Sequence, residues 1–215
     1  MSNEQYQMLT SVLTLVGLLF ACVQLWQIRS NRKKQFDQAR REKTVEMVIH
    51  YVKSVSRETK ISETIVSKFT DEQCLDLYNL NPFPVNESIK RRICEICPYK
   101  ESCNKKIAEK KICQGSDGKF YVKDDILYFL RDQAITRLNN LEIVLLAWQL
   151  GIVEQEIIEE QFLFLDKKRE KERALEVFRS IAGGGQSYPA IERFYQNLDK
   201  RKLDKAKKAL KKVIK

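Results

Sequence analysis

The chain has 215 residues and a formal net charge of +10, from 39 Lys or Arg against 29 Asp or Glu. The excess is local: residues 29–43 carry +5 and residues 199–215 carry +7, which leaves −2 for everything else. A near-neutral body argues against a chain-wide nucleic-acid-binding surface, seven Gly and four Pro argue against a turn-rich β fold, and a single histidine, His50, leaves little room for Ser–His or Cys–His catalysis.

No charge occurs between Glu4 and Arg29, and Leu9 to Ile28 reads LTSVLTLVGLLFACVQLWQI. Twenty mostly apolar residues match the roughly 30 Å of hydrocarbon that a helix must cross. The positive charge follows the run, and no small-residue cleavage site appears after it, unlike a secretory signal. The pattern predicts a transmembrane helix in residues 1–28. Seven Lys or Arg in residues 29–43, with none before the run, place that flank in the cytoplasm and the N-terminus outside the inner membrane. Thr10, Thr14, Gly17, Ala21 and Gln24 fall on one helical stripe, which predicts a homo-oligomer through this helix.

Residues 29–60 form a basic juxtamembrane stalk, with Val45, Val48, Val52 and Val55 spaced by three and four and Ile49 beside them. Such a stalk packs on the cytosolic part or pairs with its own copy. Residues 61–80 read as two short helices with Ser62 and Asp71 as N-caps. Asn81-Pro82-Phe83-Pro84 ends them, and residues 82–118 read as an accessory insert. From Asp124 to Trp148 the apolar residues keep a 3.6 period, with Gly151 as C-cap. Helices follow over about 154–165 and 168–181. Gly183-Gly184-Gly185 breaks the pattern, and Pro189 opens the last helix. A small hairpin is expected near Phe120 to Val122. The fold class is therefore all-α: a transmembrane helix, a helical cytosolic domain over 61–198 and a basic amphipathic tail over 199–215, which suits an anionic leaflet.

The insert holds the densest chemistry. CEICPYKESCNKKIAEKKIC places Cys94, Cys97, Cys103 and Cys113 at spacings of two, five and nine intervening residues. Cytosolic cysteines stay reduced, so such a cluster points to metal: structural zinc or a [4Fe-4S] cluster. The fourth ligand is either Cys113 or Cys74. Eight basic against four acidic residues in 87–113 offset the thiolate charge or present a surface for an anionic partner. Gly183 to Gly185 lacks the Lys-Ser/Thr of a phosphate loop. Asp124-Asp125 and the acids Glu154, Glu156, Glu159 and Glu160 read as first-turn and solvated residues, so no enzyme is expected.

Two resemblances accompany these readings. LNNLE at 138–142, WQLGIVEQEII at 148–158 and YPAIERFYQNL at 188–198 resemble a bacterial family of unknown function, over residues 1–55 and about 120–200. That resemblance implies one N-terminal membrane helix, a basic flank and a helical cytosolic domain, with some members in anti-phage defence. The cysteine insert departs from the family outline. CEICPYKESC, with Pro98 after the second cysteine, resembles the iron–sulfur stretch of WhiB-like proteins; that resemblance implies an upstream fourth ligand, at Cys74. Three functions follow as expectations: a membrane-anchored signalling or effector component acting by assembly, with a possible protein partner; a metal- or redox-sensing regulator; and a nucleic-acid or nucleotide sensor.

Overall fold

The computed structural model describes residues 3–96, 112–114, 119–122, 124–166 and 175–213, with side chains for 15–96, 119–122, 124–163, 165 and 175–207. The chain divides into two compact units, Met1–Lys43 and Thr44–Lys215.

The first unit is helical throughout its described length, as part of α1 (Asn3–Ser54). Between residues 15 and 43 none of its side chains is buried. The apolar ones point outward on every side: Leu15, Val16, Leu18, Leu19, Phe20, Val23, Leu25, Trp26 and Ile28 are between 49% and 72% exposed. Past the apolar run the contacts become local and polar. Gln38 Nε2 donates to Glu42 Oε1 at 2.9 Å, and the Arg40 guanidinium lies 5.9 Å from the Phe36 ring centre.

The second unit opens with the last turns of α1. Thr44 and Tyr51 are buried there, seven positions apart on one face, and so is Val55 just past the helix end. The helix stops at Ser54, short of the Lys60 end expected from sequence, because Ser56 caps the next one. Its hydroxyl accepts from the Thr59 N–H at 3.1 Å and opens α2 (Arg57–Val66). Ser62 is fully buried inside α2 and caps nothing. Thr70, rather than Asp71, caps α3 (Asp71–Asn79) through a reciprocal box with Gln73. The end of α3 is closed by Leu80 at φ +62°, with Asn81 N–H donating to Asp76 O at 2.8 Å and Leu80 N–H to Leu77 O at 3.3 Å. This is the arrangement usually built with Gly.

A three-stranded antiparallel sheet follows, in the order β1 (Pro84–Val85), β3 (Phe120–Val122), β2 (Ile112–Gln114). Pro84 pairs with Tyr121 and Val85 with Phe120; Cys113 pairs with Tyr121. Between β1 and β2, α4 (Glu87–Ile96) turns Ile89, Ile93 and Ile96 into the core. Phe83, Val85 and Val122 join them there. The described part of 82–118 is thus built into the common core rather than appended to it.

The centre of the unit is α5 (Asp124–Gln149), whose buried residues include Leu127, Leu130, Leu138, Leu141, Leu145 and Trp148. Gly151 (φ +68°) ends it: Gly151 N–H donates to Trp148 O and Ile152 N–H to Ala147 O, each at 3.1 Å. Then come α6 (Gln155–Gln161), a 3-10 turn (Leu163–Asp166), α7 (Glu176–Ile181), the short α8 (Gly184–Ser187) and α9 (Pro189–Val213). The glycine run follows the end of α7 at Ile181, as expected, and also starts a short helix, with Gly183 at φ +109° as its N-cap. The tail is continuous with α9 rather than a separate element. The class is mostly helical, as expected, with one small sheet.

Candidate functional site

Of the five cysteines of the candidate metal site, the structure describes three, in different settings. Cys74 sits in α3, only 1% exposed, among the core residues. Its thiol approaches the Val66 carbonyl at 3.9 Å. Cys94 lies in the last turns of α4 and is partly exposed. Cys113 lies in β2, where the backbone is described and the side chain is not. Cys97 and Cys103 lie outside the described residues. Among the described residues no group of three or more His, Cys, Asp or Glu side chains is placed to hold a metal ion.

The basic character of 87–113 is visible in part on α4. Lys90 and Arg91 both reach Glu87, at 3.4 and 3.5 Å, and the Lys90 ammonium lies 3.6 Å from the Phe120 ring centre. That contact ties α4 to β3 through a cation–π interaction. His50 is exposed on α1, consistent with a surface residue.

The densest polar geometry lies on the opposite theme, inside the helical core. Arg137 of α5 is 6% exposed. Its Nε donates to Glu63 Oε2 at 3.0 Å, its NH1 donates to the Tyr51 hydroxyl, and its guanidinium lies 4.9 Å from the Tyr51 ring centre. Burial pushes the Tyr51 phenol up to about 12; Arg137 works against that shift and Glu63 adds to it. Nearby, the Thr59 hydroxyl donates to Gln133 Oε1 at 2.6 Å. Three helices, α1, α2 and α5, are thereby linked through paired side chains that are buried (Tyr51, Thr59, Arg137) or partly buried (Glu63, Gln133).

A second network joins the three motif stretches quoted above. Glu142 of α5 accepts from the backbone N–H groups of Ala190 and Ile191, at 2.7 and 3.0 Å. A carboxylate from one helix so caps the first turn of another, where Pro189 supplies no N–H. Glu159, 4% exposed, accepts from Trp148 Nε1 at 3.2 Å and from Asn197 Nδ2 at 2.9 Å, and pairs with Arg201. Trp148 meets Phe194 edge-on, ring centres 5.2 Å apart. Arg179 of α7 pairs with Glu192 at 2.9 Å and lies over Tyr195. Glu159 was read from sequence as a solvated acid; the structure places it in the core, held by Trp148 and Asn197. The signal was present in the indole and amide at helical spacing, but no sequence rule pairs them with an acid on another helix. These are packing and capping interactions. None places a nucleophile beside a base.

No family model matches the chain, and no curated protein or solved structure matches it at a significant level. Among the described residues no helix is long and apolar enough to cross a membrane.

Proposed function

We propose that this chain is a membrane-anchored component that acts by assembly at the inner membrane. The observation that supports this reading is the exposure of residues 15–28. Nine large apolar side chains are at least 49% exposed, and they surround the helix instead of forming one stripe. A protein partner covers one face of a helix; lipid covers all of them. These residues rise about 21 Å at 1.5 Å each, short of the ~30 Å hydrocarbon layer. Residues 9–14, whose side chains lie outside those described, bring the run to about 30 Å. The basic residues that follow complement anionic headgroups, at about 1 kcal/mol for each one near the surface. The helical second unit then serves as the cytosolic module, and a role in anti-phage defence remains the biological setting implied by the resemblance.

The test is alkaline carbonate extraction of membranes from cells that express the full chain. Retention in the pellet, lost on deletion of residues 9–28, is expected. Full release of the intact chain sinks the reading.

A second reading concerns the cysteines. Both ends of the cluster are fixed in regular elements, Cys94 in α4 and Cys113 in β2. A metal held by Cys94, Cys97, Cys103 and Cys113 would close the segment between those anchors. Cys74 fits poorly as a ligand, because reaching it means unpacking α3 from the core. Bound zinc would act as a staple; a [4Fe-4S] cluster would add redox response. Metal and sulfide analysis of anaerobically purified protein, with Cys97→Ser as control, separates the two. Equal metal content in the variant removes this site. A nucleic-acid or nucleotide sensor remains the third reading, tested by binding of labelled oligonucleotide.

A further inference from the structure

One face of α1 carries a pattern that membrane anchoring does not require. From Gly17 to Val52 the positions 17, 21, 24, 28, 31, 35, 38, 42, 45, 49 and 52 alternate steps of four and three, and all of them are exposed. This is the a/d seam of a heptad repeat. Through the basic stretch the seam reads Asn31, Gln35, Gln38 and Glu42. All seven Lys and Arg of residues 29–43 lie off it. In the second unit the seam reads Val45, Ile49 and Val52, which are 56%, 47% and 62% exposed. Those three residues lie more than 15 positions past the apolar run, so lipid does not account for them.

We infer that α1 pairs in parallel with α1 of a second copy of this chain, along this seam. The inference deepens the assembly reading by naming the partner and the register. Two features of the sequence, together with the proposed anchoring, select a second copy. No Lys or Arg of residues 29–43 falls on the seam, where each would face its own copy across a close pair. Heptad register puts Arg41 at g and Glu46 at the following e, so a parallel pair sets Arg41 of one copy against Glu46 of the other. Anchored copies share one orientation, which makes the parallel arrangement the natural one. The amides on the seam give a weak, register-defining contact, since a polar core position fixes alignment at the expense of stability. Val45, Ile49 and Val52 supply the apolar burial.

The test uses the full chain in its membrane, with a photoreactive amino acid placed singly at each of positions 28–42. A band at twice the chain mass is expected to peak at 28, 31, 35, 38 and 42 and to fall at 33, 36 and 40. A flat or absent profile, peaks in another register, or adducts at a different mass overturn the pairing. Carbonate extraction of the same samples separates this from the anchoring. Resistant chain without periodic adducts defeats the pairing alone. Extractable chain with periodic adducts defeats the anchor and keeps the pair.

Discussion

Residues 15–28 of α1 and the whole of α5 are both rich in large apolar side chains, and they use them in opposite ways. In α5 most of those side chains are buried, with Leu127, Leu130 and Leu145 fully enclosed, although Tyr128, Ile143 and Leu146 stay exposed. In α1 the same residue types stand at half exposure or more, with Leu19 at 61% and Leu25 at 66%. Apolar content is therefore a poor guide to what surrounds a helix. The distinguishing feature is the distribution of polar groups. On α5 Arg137, Glu142 and Asn139 interrupt the apolar positions, and the first two find defined partners on other elements. Residues 15–28 contain no Asp, Glu, Lys or Arg, so no charged group there can fix a neighbour as Arg137 and Glu142 do on α5. A medium without direction suffices for such a surface.

The sharpest way to break this comparison is one substitution made in both places. Leu127→Arg buries an unpaired charge in the centre of the core, and the expected outcome is loss of the folded state, read by circular dichroism and protease resistance. Leu19→Arg should leave the thermal melt of the detergent-solubilised protein unchanged and lower the carbonate-resistant fraction, with an insertion cost of about 3 kcal/mol. Unfolding by Leu19→Arg would mean that this surface has a protein neighbour after all.

The next test removes the partner that makes α5 specific. Arg137→Met should lower unfolding free energy by about 3–5 kcal/mol, because Glu63 and the Tyr51 hydroxyl lose their shared donor. Glu63→Gln should cost about 1 kcal/mol, since the amide oxygen can still accept from Arg137 Nε and the Tyr51 hydroxyl still accepts from its NH1. Urea unfolding measures both. Equal losses would show that the ion pair, not the buried guanidinium, carries the effect. Smaller again is Glu142→Ala, expected to cost about 1 kcal/mol, the value of a helix cap. Hydrogen exchange at Ala190 and Ile191 should rise in this variant, and at only one of the two in Glu142→Gln, whose amide keeps a single acceptor oxygen.

Much of the helical framework was legible from sequence because its signals are local. The 3.6 period from Asp124 to Trp148, Gly151 as a C-cap and Pro189 as a first-turn residue depend on near neighbours, and each appears in the structure. What could not be read depends on distant partners or on competition between adjacent candidates. Ser56 outcompetes Ser62 as a cap because Thr59 presents its N–H there. Leu80 adopts a left-handed conformation that composition alone assigns to glycine. The pairing of Pro84–Val85 with Phe120–Tyr121 spans more than 30 residues, and the burial of α4 makes the described part of the expected insert part of the core. For the candidate metal site, the sequence supplied the spacing. The structure adds that Cys74 is packed away while Cys94 and Cys113 sit in ordered elements.

The least visible difference between the two regions lies in ionisation. Tyr51 marks where α1 enters the second unit, and its phenol is pushed up to about 12 by burial, against 10.0 for an ordinary tyrosine. The raised value means that the folded state holds its proton more tightly than the unfolded chain. At neutral pH both states are protonated, and the shift contributes nothing to pH dependence. Above pH 10 the unfolded chain loses this proton while the folded chain keeps it, so stability falls as pH climbs from about 10 to about 12. A shift of two units corresponds to about 3 kcal/mol lost across that window. Phenolate absorbance should show a late-titrating tyrosine near pH 12, absent in Tyr51→Phe, and the urea midpoint of the parent should fall more steeply with alkali than that of the variant. A Tyr51 that ionises near pH 10 would mean that the stretch from Thr44 to Ser54 is as solvated as the residues before it, and the boundary between the two regions would move to the end of α1.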